Sequence, residues 1–375
     1  MTGAVELLQK LIQFRSVSPS DAGSIEWMKD ILQSLGFECL NIDGTDNITK
    51  NLYASIGKGE KNLCFAGHLD VVPSGPETKW IHPPFSGTIK DGIVHGRGAV
   101  DMKGAIASYL FTVMRFLKEN KPFSKISFLI TSDEEGTGEH GTVKAVEFLK
   151  NKNISITDCI IGEPTSIDFV GDMVKIGRRG SINFSLTIHG VQGHVAYPDL
   201  AINPITKLME ILYDLKGHPI DLGYDFFQPS HLEITSIDVG NKISNIIPSE
   251  ANAKFNIRFN PNYTAKKLVE WISDICDKHN IKYSLSYDST SEAFLSKKGQ
   301  LYDIAIKSLS EYNNVTPRVS TSGGTSDARF IKDLCPILEI GLRNEKAHHI
   351  NESVSIDDLH KLSEIYYDIL VKYFQ

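Results

Sequence analysis

The chain lacks the material for a disulfide framework. Its five cysteines (Cys39, Cys64, Cys159, Cys276 and Cys335) are odd in number, far apart and form no CxxC pair. That excludes a cysteine-zinc site and points to buried free thiols in a reducing, cytoplasmic setting. Cys64, Cys159 and Cys335 lie in strand-like runs and are expected to fill a core. No stretch approaches the roughly 18 apolar residues of a membrane span. The first residues, MTGAVELLQKLIQFRSVSP, interleave charges with helically spaced apolar side chains, so no secretory signal and no membrane partner are expected. Basic blocks are missing too: 39 Lys and Arg against 46 Asp and Glu give a net charge of −7, and no nucleic-acid surface is expected. There is no internal repeat and no low-complexity tract. What remains is an ordinary globular composition, 41% hydrophobic and 23% charged, in 375 residues, long enough for two domains.

The first part alternates strand and helix. NLCFAG (62–67) is a short apolar run ending at His68, and 102–120 carries a long helical pattern closed by Pro122. KISFLIT (125–131) reads as a strand, 141–150 as a helix and DCIIGE (158–163) as a strand ending at Glu163. The expected fold class is α/β, with a mixed, mostly parallel sheet. Ligands gather beyond the carboxyl ends of such strands, where His68, Glu134, Glu135 and Glu163 all fall. Residues 180–292 change rhythm to β-α-β-β-α-β, the ferredoxin-like order, with Thr264 as a helix N-cap. This is an expected inserted α+β domain of 180–292, leaving 1–179 and 293–375 as one discontinuous domain. Helix 298–312, the turn SGGTSD (322–327), strand 336–341 and helix 356–373 return to the first style.

The chemistry-bearing residues are acids and imidazoles in short local settings. His68 and Asp70 stand in GHLD; an Asp two residues from a His can accept from the ring nitrogen that does not bind metal. Asp101 opens DMKG before a helix and reads either as an N-cap or as a carboxylate bridging two ions. Glu134 and Glu135 sit together in TSDEEG: one can bind metal while the other takes a proton, or both are simply solvated. Glu163, before Pro164, ends an apolar run, where a buried acid needs a partner. In AHHINE either His348 or His349 can coordinate. His194 in GVQGHVAYP reads by default as a loop histidine. The arginines 178, 179 and 258 read as surface charge or as carboxylate binders. SGGTSD lacks the phosphate-loop pattern, so no nucleotide site is expected. Together these groups supply ligands for a divalent metal pair plus a spare carboxylate, pointing to metal-assisted hydrolysis of an amide.

GHLDVVPSG, GRGAVDMKGAIA, TSDEEG, GEPT, GxxGHVAYP, SGGTSDARF and HHINE, in this order and spacing, resemble the M20 metallopeptidase/deacylase family along nearly the whole chain. The resemblance implies a dizinc catalytic domain (1–179 and 293–375), with cobalt a possible substitute, interrupted by a dimerisation or lid domain (180–292), and a homodimer acting on a small-molecule substrate. It implies His68 and Glu163 on one zinc, Glu135 and His348 on the other, and Asp101 bridging. The pattern HxxNE selects His348, with His349 second. Glu134 matches the family's general base, Asp70 the partner of His68, and His194 a residue that reaches the partner subunit's site. Arg178, Ser181, Asn245, Arg258, Gly324, Thr325 and Asn344 match positions expected to hold substrate. Through GRRGS (177–181), SGGTSD and HxxNE the chain most resembles those members that remove a succinyl group from a diamino acid, and the resemblance implies that activity. Acetylornithine deacylation and dipeptide hydrolysis are the neighbouring activities. Leu69 stands where GHTD has Thr, and Ser244 where a second Asn is common. A catalytically dead scaffold would have lost Glu134 or a ligand, and all are intact.

Overall fold

The structure is a computed structural model that describes residues 3–217 and 219–375. The chain divides into two compact units. One comprises Met1–Ile176, Ser296–Ser320 and Ser326–Gln375; the other comprises Gly177–Leu295 and Thr321–Thr325.

The first unit is built on an eight-stranded sheet. Its centre is four parallel strands, in spatial order Lys125–Thr131, Asn62–His68, Asp158–Ile161 and Ile337–Glu339. Antiparallel strands Glu38–Asp43 and Lys50–Gly57 extend one side. Met173–Lys175 and Arg318–Ser320 extend the other. The sheet is therefore mixed and mostly parallel. Its central strands are buried along almost their whole length, which is why they read as continuous apolar runs rather than alternating ones. Helix Lys103–Lys118 is apolar nearly all round because it is an inner helix. It packs on helix Ile356–Phe374, and Ser108 and Thr112 donate to the carbonyls of Leu359 and Ser363 at 3.3 and 3.0 Å. Phe65 stacks on Tyr109 at 4.3 Å, with Phe128 and Tyr366 edge-on to both rings. A small sheet of Thr88–Lys90, Ile93–His95 and Ser353–Ser355 lies apart from the large one. Cys64 and Cys159 are buried register partners, and both lie in strands. Cys335 is buried too, but in the turn before Ile337–Glu339 rather than in a strand.

The second unit is a four-stranded antiparallel sheet, in order His231–Asp238, Glu250–Phe259, Gly180–His189, Lys282–Ser291. In chain order that is 2-3-1-4, the ferredoxin-like arrangement. Helices Pro204–Gly217 and Ala265–Lys278 cover one face, and the inward residues of alternating strands form an apolar core. Thr264 caps the second helix, its Oγ1 accepting from the Lys267 amide at 3.3 Å. Thr321–Thr325 clusters with this unit, whereas the sequence pattern returns the whole SGGTSD turn to the first. The reason is local bonding: Thr321 Oγ1 donates to the Phe226 carbonyl at 2.7 Å, and Arg178 Nη1 to the Gly324 carbonyl at 2.9 Å.

Candidate metal centre

The parallel strands of the first unit run in one direction, so the segments following their carboxyl ends converge. His68 is the last residue of its strand. Glu134 and Glu135 follow strand Lys125–Thr131 through Asp133, a buried residue with φ +74° whose carboxylate accepts from the amides of Thr137 and His140. Glu163 lies two residues beyond Ile161, where the strand ends, rather than within it. Asp101 precedes helix Lys103–Lys118 but does not cap it; residue 102 holds the cap position and no side-chain cap bond forms. Gly98, with φ +84°, lets the preceding loop close. A Cβ there would meet Val71 at 2.7 Å.

These residues form one cluster. His68 Nε2 is 3.4 Å from Asp101 Oδ1 and 3.9 Å from both Glu134 Oε2 and Glu163 Oε1. His348 Nε2 is 2.8 Å from Glu135 Oε1 and 3.3 Å from Asp101 Oδ2. The two oxygens of Asp101 thus face two different histidines. Single donor atoms of His68, Asp101 and Glu135, and likewise of His68, Glu134 and Glu163, lie within 4.8 Å of one another. His348 has φ +62°, a left-handed backbone that is rare outside glycine and asparagine-like residues. His349 makes no ion pair with the cluster among the described residues.

Asp70 differs from the simple expectation. His68 Nδ1 donates to the main-chain carbonyl of Asp70 at 2.9 Å, while the carboxylate is 3.5 Å away. Asp70 Oδ1 instead accepts from the Glu134 amide at 3.3 Å and Oδ2 from the Glu135 amide at 3.1 Å. One side chain thereby holds the backbone of both glutamates. The Nδ1 bond keeps a hydrogen on that nitrogen, so Nε2 is the nitrogen that can yield its proton and lend an electron pair to a metal.

The electrostatics are those of crowded acids. Burial pushes the Glu134 carboxyl well above its ordinary range. His68 opposes that shift, while Glu163, Asp327 and Glu135 reinforce it. Burial works against a charged His68 ring, yet Asp101 and Asp70 hold its pKa well above the usual value. Burial likewise opposes ionisation of Asp101, but His348 and His68 hold its carboxyl below the ordinary range. Asp101, then Glu135, push the His348 imidazole up to about 10.

The donor set fits a divalent pair. Five carboxylates (Asp70, Asp101, Glu134, Glu135, Glu163) crowd around two imidazoles, a charge that two dications would nearly neutralise. His68 Nε2 and Asp101 Oδ1 are both buried and have no hydrogen-bond partner among the described residues. Imidazole with carboxylate suits zinc and its neighbours.

The remaining candidates fall as follows. Asn344 belongs to the first unit, exposed in the turn Asn344–Lys346, its amide donating to the Ser166 carbonyl at 2.9 Å. In the second unit Ser181 is the register partner of Arg258, and Ser181 Oγ accepts from Asn256 at 3.2 Å. Arg178 is buried on Gly324, and the Oγ1 of Thr325 is buried without a hydrogen-bond partner among the described residues. His194 and Asn245 are neighbours: His194 pairs with Ile246, and the Asn245 carbonyl accepts from the Val195 amide at 3.2 Å. His194 is exposed, and its Nδ1 accepts from the Ala196 amide at 3.1 Å, which leaves the hydrogen on Nε2.

Residues 64–372 match Peptidase family M20/M25/M40. The chain belongs to the M20 family. Among curated M20 relatives, the succinyl-diaminopimelate desuccinylase of Wolbachia pipientis wMel is 47% identical over 99% of this chain and 93% of its own length. The protein of that name from Ehrlichia canis (strain Jake) is 46% identical over 99% and 98%. Solved structures share the M20 fold at low identity. Aminopeptidase PepT from Bacillus cereus ATCC 10987 superposes with a TM-score of 0.81 at 19% identity, covering 99% of this chain and 98% of its own. The YXEP protein of Bacillus subtilis, described as a dinuclear metal binding peptidase from the M20 family, gives 0.71 at 15%, with 99% and 98% covered.

Two groups escaped the motif reading. Asp327, buried at the end of SGGTSD, accepts from Thr131 Oγ1 at 3.2 Å and from Thr142 Oγ1, tying the strand before Glu134 to the following helix. The Arg97–Glu352 pair lies behind Asp101. Both acids sit inside quoted motifs; their neighbours carried the recognisable chemistry, and nothing in the spacing marked the acids themselves.

Proposed function

We propose that the chain hydrolyses the amide of N-succinyl-L,L-diaminopimelate to succinate and L,L-diaminopimelate, a step of diaminopimelate and lysine biosynthesis. The observation that carries the substrate is 45–49% identity over nearly the full length to proteins named for that reaction. The placement of Asp101 between two histidines supports the metal chemistry. In this reading two Zn2+ are held per subunit, with Co2+ a substitute. His68 and Glu163 would hold one ion and Glu135 and His348 the other, with Asp101 shared between them. Residues 1–179 with 293–375 form the catalytic domain, and 180–292 the dimerisation or lid domain of a cytoplasmic homodimer.

When bound, the metal pair would polarise the amide carbonyl and make a water acidic. Glu134 takes the water's proton and returns it to the leaving nitrogen. Asp70 fixes Glu134 and Glu135 through their amides. His194 of the partner subunit donates through Nε2 to the developing oxyanion. Arg178, Ser181, Asn245, Arg258, Gly324, Thr325 and Asn344 orient the substrate.

The test is turnover of N-succinyl-L,L-diaminopimelate beside N-acetylornithine, with and without chelator. Chelator-sensitive cleavage of the succinyl substrate alone is expected; cleavage of acetylornithine alone would move the substrate and keep the chemistry. Mixed dimers of His194→Ala and Glu134→Ala subunits should recover activity that neither parent shows. A verified mixed dimer without recovery refutes the shared site.

A further inference from the structure

We infer that Glu352 is a positioning residue for Asp101, holding the loop before it so that the two Asp101 oxygens face both histidines. Glu352 is fully buried. Its Oε2 accepts from Arg97 Nη1 and from the Gly98 amide, both at 2.9 Å. Its Oε1 accepts from the amides of Val100 and Asp101 at 2.8 and 3.1 Å. Four donors thus converge on one carboxylate, and three of them are backbone amides of the segment that ends in Asp101. The main chain returns the contact, since the Gly96 amide donates to the Glu352 carbonyl at 3.0 Å.

The same carboxylate ties this loop to the segment carrying His348. Glu352 follows His348 by four residues, and Arg97 Nη1 also donates to the His349 carbonyl at 3.1 Å. Arg97 is itself buried, beneath the Trp80 ring. Asn351 Oδ1 accepts from the Ile81 amide at 2.7 Å and fixes the other side of that segment. His348 and Asp101, 3.3 Å apart, therefore depend on one buried anchor.

Stability alone gives little reason for this arrangement. A buried ion pair is usually matched or bettered by apolar residues of the same volume. What apolar residues cannot do is gather three amides onto one point. Partners outside the direct ligands typically tune metal affinity in this way.

The inference rests on the metal-centre reading above, and the experiment separates the two. Metal-free wild type and Glu352→Gln are titrated with zinc against a competing chelator, and Co2+ absorption spectra are recorded. Glutamine keeps the size but presents a donor to the amides. Wild type should bind two ions. Glu352→Gln should fold, as judged by circular dichroism, yet bind zinc about 10- to 100-fold more weakly with altered cobalt bands. Glu352→Asp keeps the charge beside Arg97 but is one methylene short. It should also lose zinc affinity, and it carries the test if the glutamine variant does not fold. Wild-type affinity and spectrum in a folded variant, with only a lower melting temperature, would reduce Glu352 to a structural ion pair. Absence of metal binding in wild type would instead overturn the metal-centre reading itself.

Discussion

At the strand ends of the first unit His68, Asp70, Arg97, Lys103, Asp327 and Glu352 are all buried, whereas the core between sheet and helices in the second unit is an apolar cluster that includes Cys276, with buried polar groups such as Arg178 and Asn260 outside that cluster. The second unit follows the ordinary logic of an amphipathic sheet covered by amphipathic helices. The first spends stability at one end: burial pushes the Lys103 ammonium down to about 7 even with Glu352 and Asp70 opposing. Buried carboxylates accumulate where a cation would relieve them, and Arg97 and Lys103 already answer part of that charge. One unit is thus expected to answer to packing and the other to charge, and four measurements sharpen or break that contrast.

The largest effect is expected from Glu134→Ala. It should lower kcat by about 10²–10⁴-fold while metal content, measured by atomic emission, stays at the wild-type level. Loss of metal along with activity would make Glu134 a ligand. Next is Phe255→Ala, which removes a ring stacked on Phe184 at 5.2 Å in the second unit's core. It should cost about 3–5 kcal/mol in urea unfolding and leave the metal content of the folded protein unchanged. A parallel loss of metal would dissolve the contrast between the units.

The third concerns pH. With its pKa near 10, His348 is protonated at neutral pH in the metal-free protein, and His68 is shifted the same way. A raised pKa contributes stability that is complete below the usual imidazole value of about 6.5 and is lost as pH rises through about 10. Metal must displace these protons, so apparent affinity should climb between those limits, and titration in weak buffer should show proton release. A pH-independent affinity would remove the histidines from the ligand set. The smallest effect is Thr264→Ala, which deletes a helix cap of the second unit at a cost of about 1 kcal/mol in thermal or urea unfolding, with kcat unchanged.

Much of this architecture was legible in the chain. The ferredoxin-like order of 180–292 could be read because its strands alternate and its helices have clear apolar faces. The central strands of the first unit could be read as unbroken apolar runs. Strands Glu38–Asp43 and Lys50–Gly57 could not, since the first is polar-rich and both gain their pairing from the neighbouring sheet. Cys335 fills the core as its strand-like run suggests, although it lies in the turn just before strand Ile337–Glu339. At the centre, the residue types and their strand-end positions marked His68, Glu134, Glu135 and Glu163 before any coordinates. They mark Asp70 as well, beside His68, but not the two amides that its carboxylate also accepts from.

By itself the sequence determined most of the elements and the strand-end placement of the acids and imidazoles proposed to carry the chemistry, because periodicity and strand-end placement are local properties. Only the tertiary structure decided which oxygen of Asp101 faces which histidine, that Asp70 grips two amides, and that Glu352 gathers the loop before Asp101 from as far as 255 residues away. Such pairings depend on donors and acceptors brought together by the sheet, and no spacing along the chain encodes them.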